Sequence, residues 1–173
     1  MKVLITGKPG IGKTTVIKKI TSNLKNKALG FWTEEIRDKN GKRIGFKVIT
    51  TDGKNSILAK KGLHSNYSVG LYGVDIEAFE KTVLPVLEEA KKKEKVVIID
   101  EIGKMELFSE KFLKAVKELF EDNKKTIIAT IPVKNVHPFV KYLRENFPVI
   151  EVSYSNRDVL PNQILKYREK ESI

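Results

Sequence analysis

The sequence predicts an α/β protein, a three-layer α/β/α sandwich around a mainly parallel sheet with an inserted β-hairpin at about residues 40–60. Three observations predict it. Segments such as Val96-Val97-Ile98-Ile99 are continuously apolar, the pattern of a strand buried on both faces of a parallel sheet. Stretches of helical spacing lie between several such segments, as in an alternating α/β chain. A glycine-rich turn follows the first strand and leads directly into the first helix.

Strand-like runs fall at residues 3–6, 28–36, 44–50, 55–59, 96–100, 126–130 and 149–152. After the first, Val16, Ile17, Ile20 and Leu24 share one helical face. Ile76, Phe79, Val83, Leu84 and Leu87 predict a helix before the strand at Val96, with a kink or break at Pro85. Phe112, Leu113, Val116, Leu119 and Phe120 predict another, with Ser109 at its N-cap. Thr51-Asp52-Gly53-Lys54 separates two strand-like runs and gives the hairpin signal. No internal repeat or linker interrupts the chain, so residues 1–173 read as one domain, and 173 residues suit a single core.

Composition excludes several classes. With 40% apolar and 32% charged residues the chain is neither disordered nor fibrous, and with no cysteine it has no disulfide framework, thiol nucleophile or cysteine-based metal site. His64 and His137, the two histidines, are expected to be structural. No run approaches the ~18 apolar residues of a membrane span, and no signal peptide is legible, so a soluble cytoplasmic protein is expected. The charge of +11 comes from 28 lysines and 5 arginines against 16 glutamates and 6 aspartates, a Lys/Glu bias typical of hyperthermophiles. It keeps nucleic acid as a candidate partner, although no recognition motif accompanies it.

Gly7-Lys8-Pro9-Gly10-Ile11-Gly12-Lys13-Thr14 matches G-x-x-x-x-G-K-[ST] at every fixed position. A polyphosphate needs many converging donors with no side chain in the way. Glycines allow backbone N–H groups to wrap it, and the helix start adds unpaired N–H groups and a positive dipole end. Lys13 is expected to reach the β- and γ-phosphates, and the Thr14 hydroxyl to ligate Mg²⁺. The strand at Val96 ends in Asp100-Glu101, at the strand end where open α/β sheets bind ligands. There Asp100 suits the metal and Glu101 a general base for water, which favours hydrolysis over transfer to an acceptor.

The run Val97-Ile98-Ile99-Asp100-Glu101-Ile102-Gly103-Lys104-Met105-Glu106-Leu107, with the glycine loop before it and Ser155-Asn156-Arg157-Asp158 after it, resembles the nucleoside-triphosphatase family known from thermophiles and as the cancer-related nucleoside triphosphatase. The resemblance covers essentially the whole chain. It implies a RecA-like P-loop domain, Mg²⁺-dependent hydrolysis of ATP and other triphosphates with broad base tolerance, and a second nucleotide-contacting segment from Val97 to Lys104.

Four secondary expectations remain. Thr130, ending the strand beside that of Asp100, is a candidate γ-phosphate sensor. Asn156, Arg157 and Asp158 are base-side candidates, with an N-cap role for Asp158 as the competing reading. Nothing in the spacing selects an arginine finger among Arg37, Arg43, Arg144, Arg157 and Arg168. Phe31, Trp32 and Tyr72 are read as packing residues rather than a base platform. A nucleoside or nucleotide kinase is the alternative enzyme, disfavoured because such kinases close an arginine-rich lid over the acceptor. A nucleic-acid-associated ATPase is the alternative from another class.

Overall fold

The structure is a computed structural model that describes residues 1–171. One nine-stranded sheet runs through it in the order β5-β6-β4-β3-β2-β7-β8-β1-β9, with β1 Lys2–Thr6, β2 Ala28–Arg37, β3 Arg43–Thr50, β4 Asn55–Lys61, β5 Ser68–Val69, β6 Tyr72–Val74, β7 Val96–Ile99, β8 Ile127–Thr130 and β9 Val149–Glu151. The helices are α1 Lys13–Leu24, α2 Ile76–Lys92, α3 Glu110–Glu121, α4 Pro138–Asn146 and α5 Leu160–Glu171.

From β2 to β9 all pairings are parallel, and from β2 to β5 all are antiparallel. The sheet is therefore mixed, and the expected hairpin is the middle of a larger antiparallel wing. Its turn is as read: Gly53 donates to the Thr50 carbonyl at 3.0 Å and Thr50 to that of Lys54 at 2.9 Å. The added strands β5 and β6 are only two and three residues long, too short for a periodic signal.

Two apolar cores make the three layers. On one face α1 and α5 cover β1, β7 and β8 through Ile17, Ile20, Ile5, Ile98, Ile128 and Ile164. On the other, α2, α3 and α4 cover the sheet, with Phe31 edge-on to Phe79 and Phe112 at 5.9 Å centroid separations. Burying side chains of this size contributes ~1.5–3 kcal/mol each. Phe31 is thus packing, as expected, and so are Trp32, partly buried against the α1 side, and Tyr72, against Phe46.

Caps set the helix boundaries. Ser109 accepts from the Phe112 N–H at 3.0 Å as foreseen, Asp75 from Ala78 at 3.0 Å, and His137 Nδ1 from Phe139 at 3.0 Å, a structural use of that histidine. Helix α2 continues through Pro85 without a break, because Pro85 lies on the exposed face, where the carbonyl that loses its partner can turn to water. The buried Lys125 donates to the carbonyls of Ala90 and Lys93 at 2.7 and 2.9 Å, closing the C-terminal end of α2. No described helix is long and apolar enough to cross a membrane.

Candidate nucleotide site

The parallel strands β1, β7 and β8 end on one edge, and the loops there bring the two acidic and glycine segments together. The glycine loop turns tightly, Ile11 donating to the Lys8 carbonyl at 3.1 Å, and α1 begins at Lys13. Two of its glycines illustrate why the geometry requires this residue. A Cβ on Gly7 would lie 2.8 Å from Ile11 Cγ2 and 3.2 Å from the Val152 carbonyl, and Gly12 stands before α1 at φ 115°. Lys8, Pro9 and Gly10 are exposed, while the Ile11 side chain is buried in the α1 core, so its backbone alone can face a ligand.

Asp100 leaves β7 directly beneath this loop. It is 2% exposed, and its carboxylate accepts from Thr14 Oγ1 at 2.8 Å, Thr130 Oγ1 at 2.6 Å and the Thr33 N–H at 3.3 Å. Burial pushes its pKa up to about 6 and the Glu101 charge adds to the rise, while the Thr130, Thr14 and Thr33 donors oppose it. Glu101 Oε2 lies 3.1 Å from Lys13 Nζ in a half-buried ion pair, and the Asp100–Glu101 peptide is cis. The two segments are thus joined twice, Thr14 to Asp100 and Lys13 to Glu101, across 86 and 88 residues of sequence.

The Thr14 and Asp100 oxygens fit a hard divalent cation. Both are oxygen donors, and a separation of 2.8 Å suits neighbouring positions on an octahedron with bonds of about 2.0–2.1 Å.

Several expected site residues sit elsewhere or act differently. Val97 and Ile99 are buried in the α2 core and Ile98 in the α1 core, so their side chains serve packing. Ile102 and Gly103 are buried as well, and Lys104 is exposed in the turn after them. Thr130 spends its hydroxyl on Asp100 Oδ1. Asn156 is used by its own turn, Oδ1 accepting from Ser153 N at 2.8 Å and Nδ2 donating to the Glu151 carbonyl at 2.8 Å, so it builds the loop. Asp158 is exposed two residues before α5. Arg157 alone of the three reaches the glycine loop, Nη1 donating to the Ile11 carbonyl at 3.3 Å. Among the other arginines, Arg37 bonds Glu35 and the Gly41 carbonyl, Arg43 bonds Tyr72 Oη, Arg144 bonds Asn135, and Arg168 lies on α5.

Two participants escaped the sequence reading. Thr33 contributes only its backbone N–H, which no side-chain pattern reports. Glu106 is 5% exposed, and burial first, then the Glu101 charge, pushes its carboxyl well above the usual range. A Cβ on Gly103 would lie 2.6 Å from Glu101 Oε1 and 3.1 Å from Glu106 Oε1, so the spacing Glu-x-Gly-x-x-Glu was the available signal.

An α/β sheet with a complete phosphate loop facing an Asp-Glu pair defines a P-loop nucleotide-binding protein of the kind in which a strand separates the loop strand from the acidic one, here β8 between β1 and β7. The chain belongs to the NTPase family, which it matches over residues 2–165. It is similar to the nucleoside-triphosphatase THEP1 of Aquifex aeolicus, at 49% identity over 98% of this chain and 100% of that protein, and to the human cancer-related nucleoside-triphosphatase, at 40% identity over 91% of each. The crystal structure of THEP1 from the hyperthermophile Aquifex aeolicus superposes with a TM-score of 0.90 at 48% identity, covering 96% of this chain and 98% of that one. The solution structure of a human cancer-related nucleoside triphosphatase gives 0.81 at 38% identity, covering 98% and 97%.

Proposed function

We propose that the protein is a base-tolerant nucleoside triphosphatase that hydrolyses ATP and other nucleoside triphosphates to the diphosphate and phosphate with Mg²⁺. The observation that carries this reading is the double junction of the phosphate loop with Asp100 and Glu101, at 2.8 and 3.1 Å. The names of the similar proteins from Aquifex aeolicus and human, both nucleoside-triphosphatases, agree with it.

Thr14 and Asp100 would hold the Mg²⁺, which when bound draws off charge from the β- and γ-phosphate oxygens. The triphosphate competes with Glu101 for Lys13, so substrate arrival releases Glu101 from its ion pair while Lys13 takes up phosphate charge. Glu101 then accepts a proton from water as the water oxygen bonds the γ-phosphorus. The bond from that phosphorus to the β–γ bridging oxygen breaks, the diphosphate leaves with the bonding electrons, and Glu101 returns its proton to solvent. Thr130 and the Thr33 N–H keep Asp100 oriented throughout. Base tolerance agrees with a base-side loop whose Asn156 is committed to its own turn.

The test is phosphate release from ATP, GTP, CTP and UTP with Mg²⁺, wild type beside Glu101→Gln. Wild type is expected to cleave several of them, and the variant to bind nucleotide with turnover lower by about 10²–10⁴-fold, the usual contribution of general base catalysis. Full activity in the variant removes Glu101 from its role. Phosphate release suppressed by added nucleosides would favour a kinase instead.

A further inference from the structure

The loop after β9 carries a feature that phosphate chemistry does not use. Tyr154 is 76% exposed, and the Arg157 guanidinium carbon stands over its ring, 4.9 Å from the centroid. A large aromatic ring presented to solvent beside a functional loop stands out from ordinary packing. The pair is also fixed in place. Asn156 ties the loop to Ser153 and Glu151, Arg157 N–H donates to the Ser153 carbonyl at 3.0 Å, and the Arg157 side chain reaches the Ile11 carbonyl. Its Cδ lies 3.6 Å from where a Cβ on Gly12 would stand, so the arginine stem runs along the phosphate loop one residue before Lys13.

We propose that the Arg157 guanidinium, backed by the Tyr154 ring, is the face on which the nucleobase of the bound nucleotide stacks. A planar cation held against an aromatic ring offers a flat, polarisable surface to any base. Stacking reads no hydrogen-bonding edge, so it accepts adenine, guanine, cytosine and uracil alike, with the larger purines held more tightly. The base would be gripped only where the phosphate loop holds the phosphates, so the platform rests on the nucleotide-site reading above. Tyr154 touches neither the phosphates nor the acidic pair, and it acts on affinity for the base alone.

Nucleoside diphosphates and inorganic pyrophosphate, with Mg²⁺ and followed by calorimetry, separate base from phosphate binding without any turnover. Tyr154→Ala is expected to weaken ADP and GDP about tenfold, equivalent to ~1.4 kcal/mol, and CDP and UDP less, while pyrophosphate binds as to wild type. Tyr154→Phe restores the diphosphate affinities, because the ring and not the hydroxyl supports Arg157. Because Tyr154 is exposed, its loss does not open the core. The proposal is overturned if ADP and pyrophosphate affinities stay unmoved, or fall together, in Tyr154→Ala. Failure of the hydrolase reading looks different: wild type releases no phosphate from ATP while the gap between ADP and pyrophosphate persists and closes in Tyr154→Ala. Wild type binding neither ADP nor pyrophosphate overturns both.

Discussion

In the parallel half of the sheet, β1, β7 and β8 lead into Gly7, Asp100 and Ile131 on one edge, and Thr130 and Thr14 meet on a single carboxylate there. In the antiparallel wing, β3 and β4 close on each other through Thr51, Asp52, Gly53 and Lys54, and no candidate catalytic side chain stands on them. The difference follows from connectivity. Parallel strands enter their loops in one direction, so residues far apart in sequence converge at a common edge, whereas each antiparallel strand hands its neighbour back and disperses its ends. From β2, the strand shared by both halves, the Thr33 N–H donates to the Asp100 carboxylate and the Phe31 carbonyl accepts from the Asp100 N–H at 3.2 Å.

That contrast can be tested from its strongest consequence downward. Lys13→Ala, at the parallel edge, is expected to lower kcat/KM for ATP by about 10²–10³-fold, the usual cost of removing one preorganised contact to developing charge, with no loss of fold. Steady-state phosphate release measures it, and near-normal turnover would detach the loop lysine from the chemistry. Leu58→Ala in the wing, where the side chain is 2% exposed, should do the reverse. Denaturant unfolding is expected to show a loss of ~2–5 kcal/mol for the cavity, with kcat/KM of the folded protein unchanged. A fall in turnover per folded molecule would give the wing a part in the site.

A third effect is specific to Asp100, with its carboxyl pushed up to about 6 from 3.8. Because folding raises this pKa, its contribution to stability, on the order of 3 kcal/mol, is fully present below pH 3.8 and lost as pH rises through about 6. Metal binding runs the other way, since a protonated carboxyl is a poor ligand. Mg²⁺-ADP affinity is therefore expected to fall as pH drops below about 6, as calorimetry at pH 5 and 7 would show, while Asp100→Asn removes the share of both pH trends that Asp100 contributes. The smallest effect is expected for Lys47→Ala on the half-exposed face of β3, within ~0.5 kcal/mol in stability and neutral in turnover. A measurable loss of activity there would mean that the wing's charge serves the substrate.

The strongest local signals were the most legible. Four apolar residues in Val96–Ile99 and the glycine loop each report their environment by composition and spacing, and the structure places both as read. Helix α3 was legible through its apolar face and the Ser109 cap, but α4 was not, because its nine residues and the His137 cap give a weak pattern. The candidate site was readable where side-chain type suggests the chemistry, as at Lys13, Thr14, Asp100 and Glu101, which the structure brings together. It was unreadable where the contribution is backbone or burial, as at Thr33 and Glu106. Asn156 shows the converse, a polar side chain that fits a base edge in sequence and is spent on its own turn in space.

By itself the sequence determined the class of fold, the phosphate loop and the acidic pair, because each depends on residues close together along the chain. Tertiary structure alone decided which partners those residues take. The Thr14–Asp100 and Lys13–Glu101 contacts, the Thr130 hydroxyl on Asp100 and the seating of Arg157 between Ile11 and Tyr154 all join segments that meet only when the strands assemble in the order β7-β8-β1-β9. That order is fixed by burial of two apolar faces against helices, a non-directional force summed over the whole sheet, which no short stretch of sequence records.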